Sequence, residues 1–410
     1  MNPKNLSIND FNYELPNNRI AKYPLENRDS SKLLVYESGN ITEDIYQNIV
    51  NHIPNNSLLI FNDTKVIEAR LLFQKSTGGI IEIFCLQPHQ QELEIINALQ
   101  QRQKVKWECI IGGISKWKQD QILQKSIFIN EKEIILSATF IKKINENFII
   151  ELAWNDYQFC FAEILHFFGA IPLPPYLKRK SEKIDSETYQ TVYAKNDGSV
   201  ASPTAGLHFT SAIFSSLSNK NINKDFVTLH VGAGTFKPVK CDKMEDHEMH
   251  AELFIVSIAT IENILNNLEN NIVAVGTTSL RTIESIYWIG LKIFLNQPPF
   301  NLLTQWEIYE LEEKKLPMQF VLKSLIDWMK VNNLSKLVAQ TQIIIAPGYH
   351  PKIVRGLITN FHQPKSTLLL LIAALIGKNW KKNYEYALQN DFRFLSYGDG
   401  NLLWFNKYKS

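Results

Sequence analysis

NIVAVGTTSLRTIES, residues 271–285, decides the fold class. An apolar run, Ile272–Val275, ends on Gly276, and two threonines open a segment with apolar residues at helical spacing. That reads as strand, turn and helix. DFVTLHVGAG (225–234) starts the same way, a strand and then a glycine turn. Leu58–Phe61 reads as a buried strand closed by the turn NDT (62–64). TQIIIAPGY (341–349) reads as a buried strand ending in a Pro-Gly turn. YQFCFAEILHFFG (157–169) has helical spacing, and residues 317–333 form an amphipathic helix with Phe320, Val321, Leu325, Trp328 and Met329 on one side. QPKSTLLLLIAALIG (363–377) predicts a helix with Pro364 near its first turn and Gly377 at its end. The main domain is therefore α/β.

Between residues 70 and 154 the texture changes. GIIEIFCL, ELEIINAL, VKWECIIG, KSIFIN, EIILSATFI and NFIIELAW are short runs rich in Ile, Val, Phe and Trp, separated by Gly, Asn or Lys clusters. They predict a small antiparallel β-barrel inserted into the α/β domain. The division is then residues 1–69 and 155–410 for the α/β domain, with a helical insert at 287–342, and residues 70–154 for the barrel.

The chain of 410 residues exceeds one ordinary core. Its net charge of +2 neither requires nor excludes a nucleic-acid partner. The four cysteines, Cys85, Cys109, Cys160 and Cys241, form no CxxC pair, which reads as reduced thiols in a cytoplasmic protein. The N-terminal MNPKNLSINDFNYELP has no apolar signal core. The longest apolar run, Leu368–Ile376, is far shorter than the ~20 residues of a membrane span.

In open α/β sheets ligands bind where strands end and helices begin, because free backbone amides and the helix dipole are presented there. Several unusual stretches fall at such ends. SPTAGLHFT (202–210) and LHVGAGTF (229–236) each place a histidine beside glycines, His208 and His230. GTTSLR (276–281) carries Arg281 in the first turn of a helix, where a cation is unfavourable unless an anion lies near. Thr277 or Thr278 could simply cap that helix. HEMHAE (247–252) offers His250 and Glu252 but is not a zinc signature, and no metal is expected. TNFHQPKST (359–367) adds Asn360 and His362. A common cleft is the economical reading. YLKRKSEK (176–183) is a solvated basic face or a contact for a phosphate backbone.

The ordered set of these motifs resembles a known family. FNYELPNNRIAKYPLENRDSSKLLV, FNDTKVIEARL, IPLPPYLKR, YQTVYAKNDGSVASPTAGLHFT, LHVGAGTFKPV, HEMHAE, GTTSLRTIES, PGYHPKIVRGLITNFHQPKSTLLLL and FRFLSYGD run in family order over nearly the whole chain. They resemble the S-adenosylmethionine:tRNA ribosyltransferase-isomerases of queuosine synthesis. The resemblance implies the inserted barrel. It also implies that the ribosyl part of S-adenosylmethionine moves to the aminomethyl group of a 7-deazaguanine in a tRNA anticodon. The product is epoxyqueuosine, and adenine and methionine leave.

That reaction needs proton transfer at a sugar carbon acidified by the sulfonium, and at the leaving adenine and the attacking amine. The expected proton-transfer residues are His208 and His230, supported by His250 and Glu252. Asp63, Thr204, Gly206, Gly232, Gly234, Thr277, Arg281, Asn360 and His362 are expected to line the substrate pocket, with Arg281 holding the methionine carboxylate or a tRNA phosphate. No cofactor is expected, since S-adenosylmethionine is consumed; the partners are it and the tRNA, and a monomer with no membrane association is expected. Departures from the family pattern at Glu68, at Arg355, in YHPKIV and over Tyr287–Gln342 leave a second reading open, a paralogue on this scaffold acting on another acceptor.

Overall fold

In the computed structural model, Ile272–Val275 is a strand and Thr277–Phe294 a helix, with Gly276 between them. Gly276 turns the chain with φ +93°, a backbone state that L side chains rarely adopt. The structure describes residues 2–89, 95–118, 121–232, 239 and 241–405.

The strand lies inside a ten-stranded mixed sheet. From one edge the order is Leu302–Leu303, Lys336–Thr341, Glu252–Ser257, Asn223–Leu229, Leu58–Asn62, Ile272–Val275, Gly356–Asn360, Gly400–Trp404, Lys32–Glu37 and Asn40–Ile45. The central four, from Asn223–Leu229 to Gly356–Asn360, run parallel to one another. In Leu58–Asn62, Ile272–Val275 and Gly356–Asn360 every residue is buried and side chains alternate between two covered faces, whereas Asn223–Leu229 is buried only over its last three residues. Leu58 and Ile60 pack with the helices Thr277–Phe294, Met318–Val331 and Thr367–Ile376. Leu59 and Phe61 pack on the opposite side under Ser211–Asn219 and Tyr46–His52.

A second, seven-stranded sheet is antiparallel in every ladder. It runs from Arg70–Gln74 through Asn147–Trp154 and is completed by Gly169–Ala170. It has its own buried cluster, including Phe73, Trp107, Leu136 and Leu152, closed by Phe161 and Leu165 of the helix Phe161–Phe168. The sheet curls until Arg70–Gln74 and Leu123–Ile129 lie close. The described residues contain no ladder between those two strands.

Three sequence expectations change. ELEIINAL is not a strand where it is described: Ile95–Leu99 is a helical turn, with Ala98 and Leu99 buried and Ile96 exposed, a helical rather than alternating pattern. TQIIIAPGY is a strand only up to Thr341. Ile343–Ala346 is buried but leaves the ladder. The Tyr309 hydroxyl donates to the Ile344 carbonyl and accepts from the Ala346 amide, both at 3.0 Å, so burial rather than pairing accounts for that apolar run. Finally, the stretch 287–342 is woven into the main fold: it carries the second half of Thr277–Phe294, the last two strands at one end of the large sheet and the helix Met318–Val331 packed on Thr277–Phe294. That helix matches the expected 317–333 closely in extent, but its buried side is Val321, Leu322, Leu325, Ile326 and Met329, and Phe320, expected among them, is exposed.

Candidate active site

Because the four central strands are parallel, Leu229, Asn62, Val275 and Asn360 all end at one edge of the sheet. The buried Asn62 amide ties these ends together: Oδ1 accepts from Leu229 N at 3.0 Å, and Nδ2 donates to Leu229 O at 3.0 Å and to Thr278 Oγ1 at 3.2 Å. Beyond this edge lies a cavity of about 720 Å³. Its walls come from loops far apart in sequence, so the strand-end stretches do converge.

Thr204, Gly232, His250, Glu252, Thr277, Arg281, Asn360 and His362 line the cavity. Its lining does not include Asp63, Gly206, His208 or His230. Gly234 lies outside the described residues.

The four residues outside the lining have other partners. His208 stacks on Tyr46 with ring centroids 4.3 Å apart. Its Nδ1 lies 3.2 Å from the Arg28 carbonyl, which makes that nitrogen the donor and leaves Nε2 to accept from Asn360 Nδ2 at 3.4 Å. Asn360 Oδ1 then accepts from Thr204 Oγ1 at 2.9 Å. His208 therefore reaches the cavity through Asn360. His230 lies 2.9 Å from Thr64 Oγ1 through Nδ1 and is packed under Gly198, where a Cβ would come within 2.8 Å of the ring. Burial pushes both imidazoles down to about 4. Asp63 accepts from Thr228 Oγ1 at 2.6 Å and Asn196 Nδ2 at 3.0 Å, stitching neighbouring strands. Gly206 makes room for Tyr193, whose hydroxyl would sit 1.8 Å from any Cβ there.

Inside the cavity, Arg281 and Glu252 form a buried ion pair. Glu252 is thus the anion that the odd position of Arg281 called for. Glu252 Oε1 also accepts from Gly232 N at 3.4 Å. Arg281 Nε and Nη2 have no partner among the described residues. Neither threonine caps the helix: its N-cap is Gly276, without a side-chain cap hydrogen bond, and Gly276, Thr277 and Thr278 line the cavity.

His362 Nε2 lies 3.0 Å from Thr359 Oγ1, and burial lowers its pKa to about 3. The loop carrying His247 and His250 is clamped by Gln305, which donates to the His247 carbonyl at 2.7 Å and accepts from Met249 N at 2.8 Å. Burial and the neighbouring His250 lower the pKa of His247. Among the described residues, no group of three or more His, Cys, Asp or Glu is placed to hold a metal.

Ser202 and Gln305 were missed from sequence, and of the strand-end stretch 62–64 Asp63 rather than Asn62 was named. A clamp made by one amide on a distant backbone leaves no local motif. Ser202 lines the cavity with a buried hydroxyl that has no partner among the described residues, and only its position in SPTAGLHFT could have marked it. Glu68 pairs with His166 at 2.9 Å and Arg355 donates to the Leu268 carbonyl at 3.0 Å; neither lines the cavity. A second groove of about 540 Å³, lined by Asn17, Asn18, Ile20, Lys22 and Lys178, shares Tyr176 with the cavity. No helix of the described residues is long and apolar enough to cross a membrane.

Residues 8–403 match the model of a family described as queuosine biosynthesis protein. A Finegoldia magna protein named S-adenosylmethionine:tRNA ribosyltransferase-isomerase is 37% identical over 96% of this chain and 97% of its own length. A Buchnera aphidicola protein of the same name is 36% identical over 98% and 97%. The solved S-adenosylmethionine tRNA ribosyltransferase of Thermotoga maritima is 26% identical, covering 96% of this chain and 99% of that one with a TM-score of 0.44. With its motifs in order and its length matched nearly end to end, the chain belongs to the queuosine biosynthesis protein family, that of the S-adenosylmethionine:tRNA ribosyltransferase-isomerases.

Proposed function

We propose that this chain transfers and isomerises the ribosyl part of S-adenosylmethionine onto the aminomethyl-deazaguanine of a tRNA anticodon, giving epoxyqueuosine with release of adenine and methionine. The observation that carries the reading is the cavity itself. The motif stretches that mark the family meet at the carboxyl edge of the parallel strands and build one site.

Within that reading, His250 in the cavity wall is the proton-transfer residue, and Glu252 supports the site by holding Arg281. His208 and His230 act as positioning residues. A neutral, buried imidazole is a poor proton store but a fixed hydrogen-bond partner, and His208 orients the Asn360–Thr204 pair toward the ribose. Arg281 binds a substrate anion. The groove bearing Lys22 and Lys178 beside Tyr176 supports approach of an RNA backbone from that side. The chemistry needs no metal or redox cofactor, because the sulfonium supplies the activation and the donor is consumed. The expected monomer, working in the cytoplasm with its tRNA, remains part of the proposal. Arg355 and the stretch 287–342, which motivated a different acceptor, contribute no residue to the described cavity lining and lend that second reading no support.

The test is incubation with S-adenosylmethionine and tRNA carrying the aminomethyl-deazaguanine, with adenine followed by chromatography. Adenine release that requires that tRNA is expected. Its absence with correctly folded protein would refute the proposal.

A further inference from the structure

The helix Thr277–Phe294 starts at the cavity without a side-chain cap. Its first amides and the positive end of its dipole are therefore available to a ligand. Next along the same helix stands Arg281, 6% exposed. One guanidinium nitrogen is engaged by Glu252, while Nε and Nη2 are buried and have no partner among the described residues. A guanidinium presents its donors as a planar fork suited to two oxygens of one anion, and leaving such donors unmade in a buried site is unfavourable. Ser202, also lining the cavity, adds a buried hydroxyl without a partner among the described residues.

The charge of the site selects among anions. Glu252 already neutralises Arg281, so the net positive field left is that of the helix end, equivalent to roughly half a charge. A phosphate dianion, or a phosphodiester with its neighbours on a polyanion, would overload a buried pair that is already balanced. A single carboxylate fits it. We infer that the Gly276–Thr278 helix end and Arg281 form a subsite for the α-carboxylate of the donor's methionine half. This rests on S-adenosylmethionine being the donor, and it turns the donor so that its amino-acid end faces the helix.

The experiment is a calorimetric cycle on the full chain: wild type and Arg281→Lys, each titrated with S-adenosylmethionine and with its decarboxylated analogue. Wild type should bind the analogue ~10–100-fold more weakly, the value of one or two charge-assisted hydrogen bonds. Arg281→Lys should bind the intact donor more weakly and discriminate only a few-fold, since an ammonium cannot reproduce the fork. If that variant does not fold, the wild-type comparison decides alone. Equal affinity of wild type for the two donors overturns the subsite. So does an Arg281→Gln protein that keeps full discrimination but loses about one unit of slope in the salt dependence of tRNA binding, which would assign the arginine to a phosphate. Wild type that binds tRNA but neither donor would instead defeat the functional reading on which the subsite depends.

Discussion

Acidification from pH 6.5 to 5 should cost this protein much of its stability, through three histidines. His208, His230 and His362 are each buried, with pKa values pushed down to about 4, 4 and 3 by loss of hydration. In the unfolded chain they return to about 6.5. Below that value the unfolded state binds protons that the folded state refuses. Stability therefore rises with pH in this window and falls as pH drops through 6.5. Each group contributes at most ~1.4 kcal/mol per pH unit, and the three together ~4 kcal/mol per unit near pH 5. Set against a total of roughly 5–15 kcal/mol for a folded domain, that is a large fraction. Most carboxylates titrate below the window and add little to it. The assay is urea unfolding followed by tryptophan fluorescence at half-unit steps of pH. Replacing His230 by Gln should flatten the slope by ~1.4 kcal/mol per unit. A wild-type slope below ~1 kcal/mol per unit, or imidazole signals of these residues titrating near 6.5 in the folded protein, would refute the assignment of three neutral buried histidines.

Three further outcomes follow from single contacts. Gly276→Ala should destabilise by ~1–3 kcal/mol through backbone strain alone, read as a shift in the urea midpoint, because the nearest atoms to an added Cβ are 3.6 and 3.8 Å away. Gln305→Leu should remove both backbone clamps on the His247–Met249 loop and raise the donor KM severalfold while costing ~1–3 kcal/mol of stability; unchanged kinetics would show that the loop holds its place without it. Replacing Lys22 and Lys178 together by Ala should lower the salt slope of tRNA binding by ~1–2 without changing donor affinity, measured by filter binding from 50 to 200 mM salt.

The parallel core was legible because each strand carries its evidence locally. Ile272–Val275 and Leu58–Phe61 are apolar at every position, as strands covered on both faces must be, and Gly276 marks the turn into a helix. The antiparallel strands were legible as short β-branched runs between turn residues. ELEIINAL was misread because Ile95, Ile96, Ala98 and Leu99 suit a short strand or a helical turn equally, and the choice depends on which side chains find a core. TQIIIAPGY was overextended because an apolar run reports burial and not the presence of a neighbouring strand to pair with.

The residue types of the site, and the expectation that they sit at strand ends, came from the sequence by itself. Motif order carried the family, since a run of short segments in fixed order is specific even when each segment is not. Tertiary structure alone decided which of those residues face the cavity. His208 and His230 look like site residues beside their glycines, yet their rings are turned into packing against Tyr46 and under Gly198. Arg281 looked like a cation awaiting a ligand, and half of the answer was Glu252, 29 positions away along the chain. Side-chain direction and long-range pairing depend on how separate strands and helices pack. A linear sequence records the groups that must be satisfied, and only the packed chain settles what satisfies them.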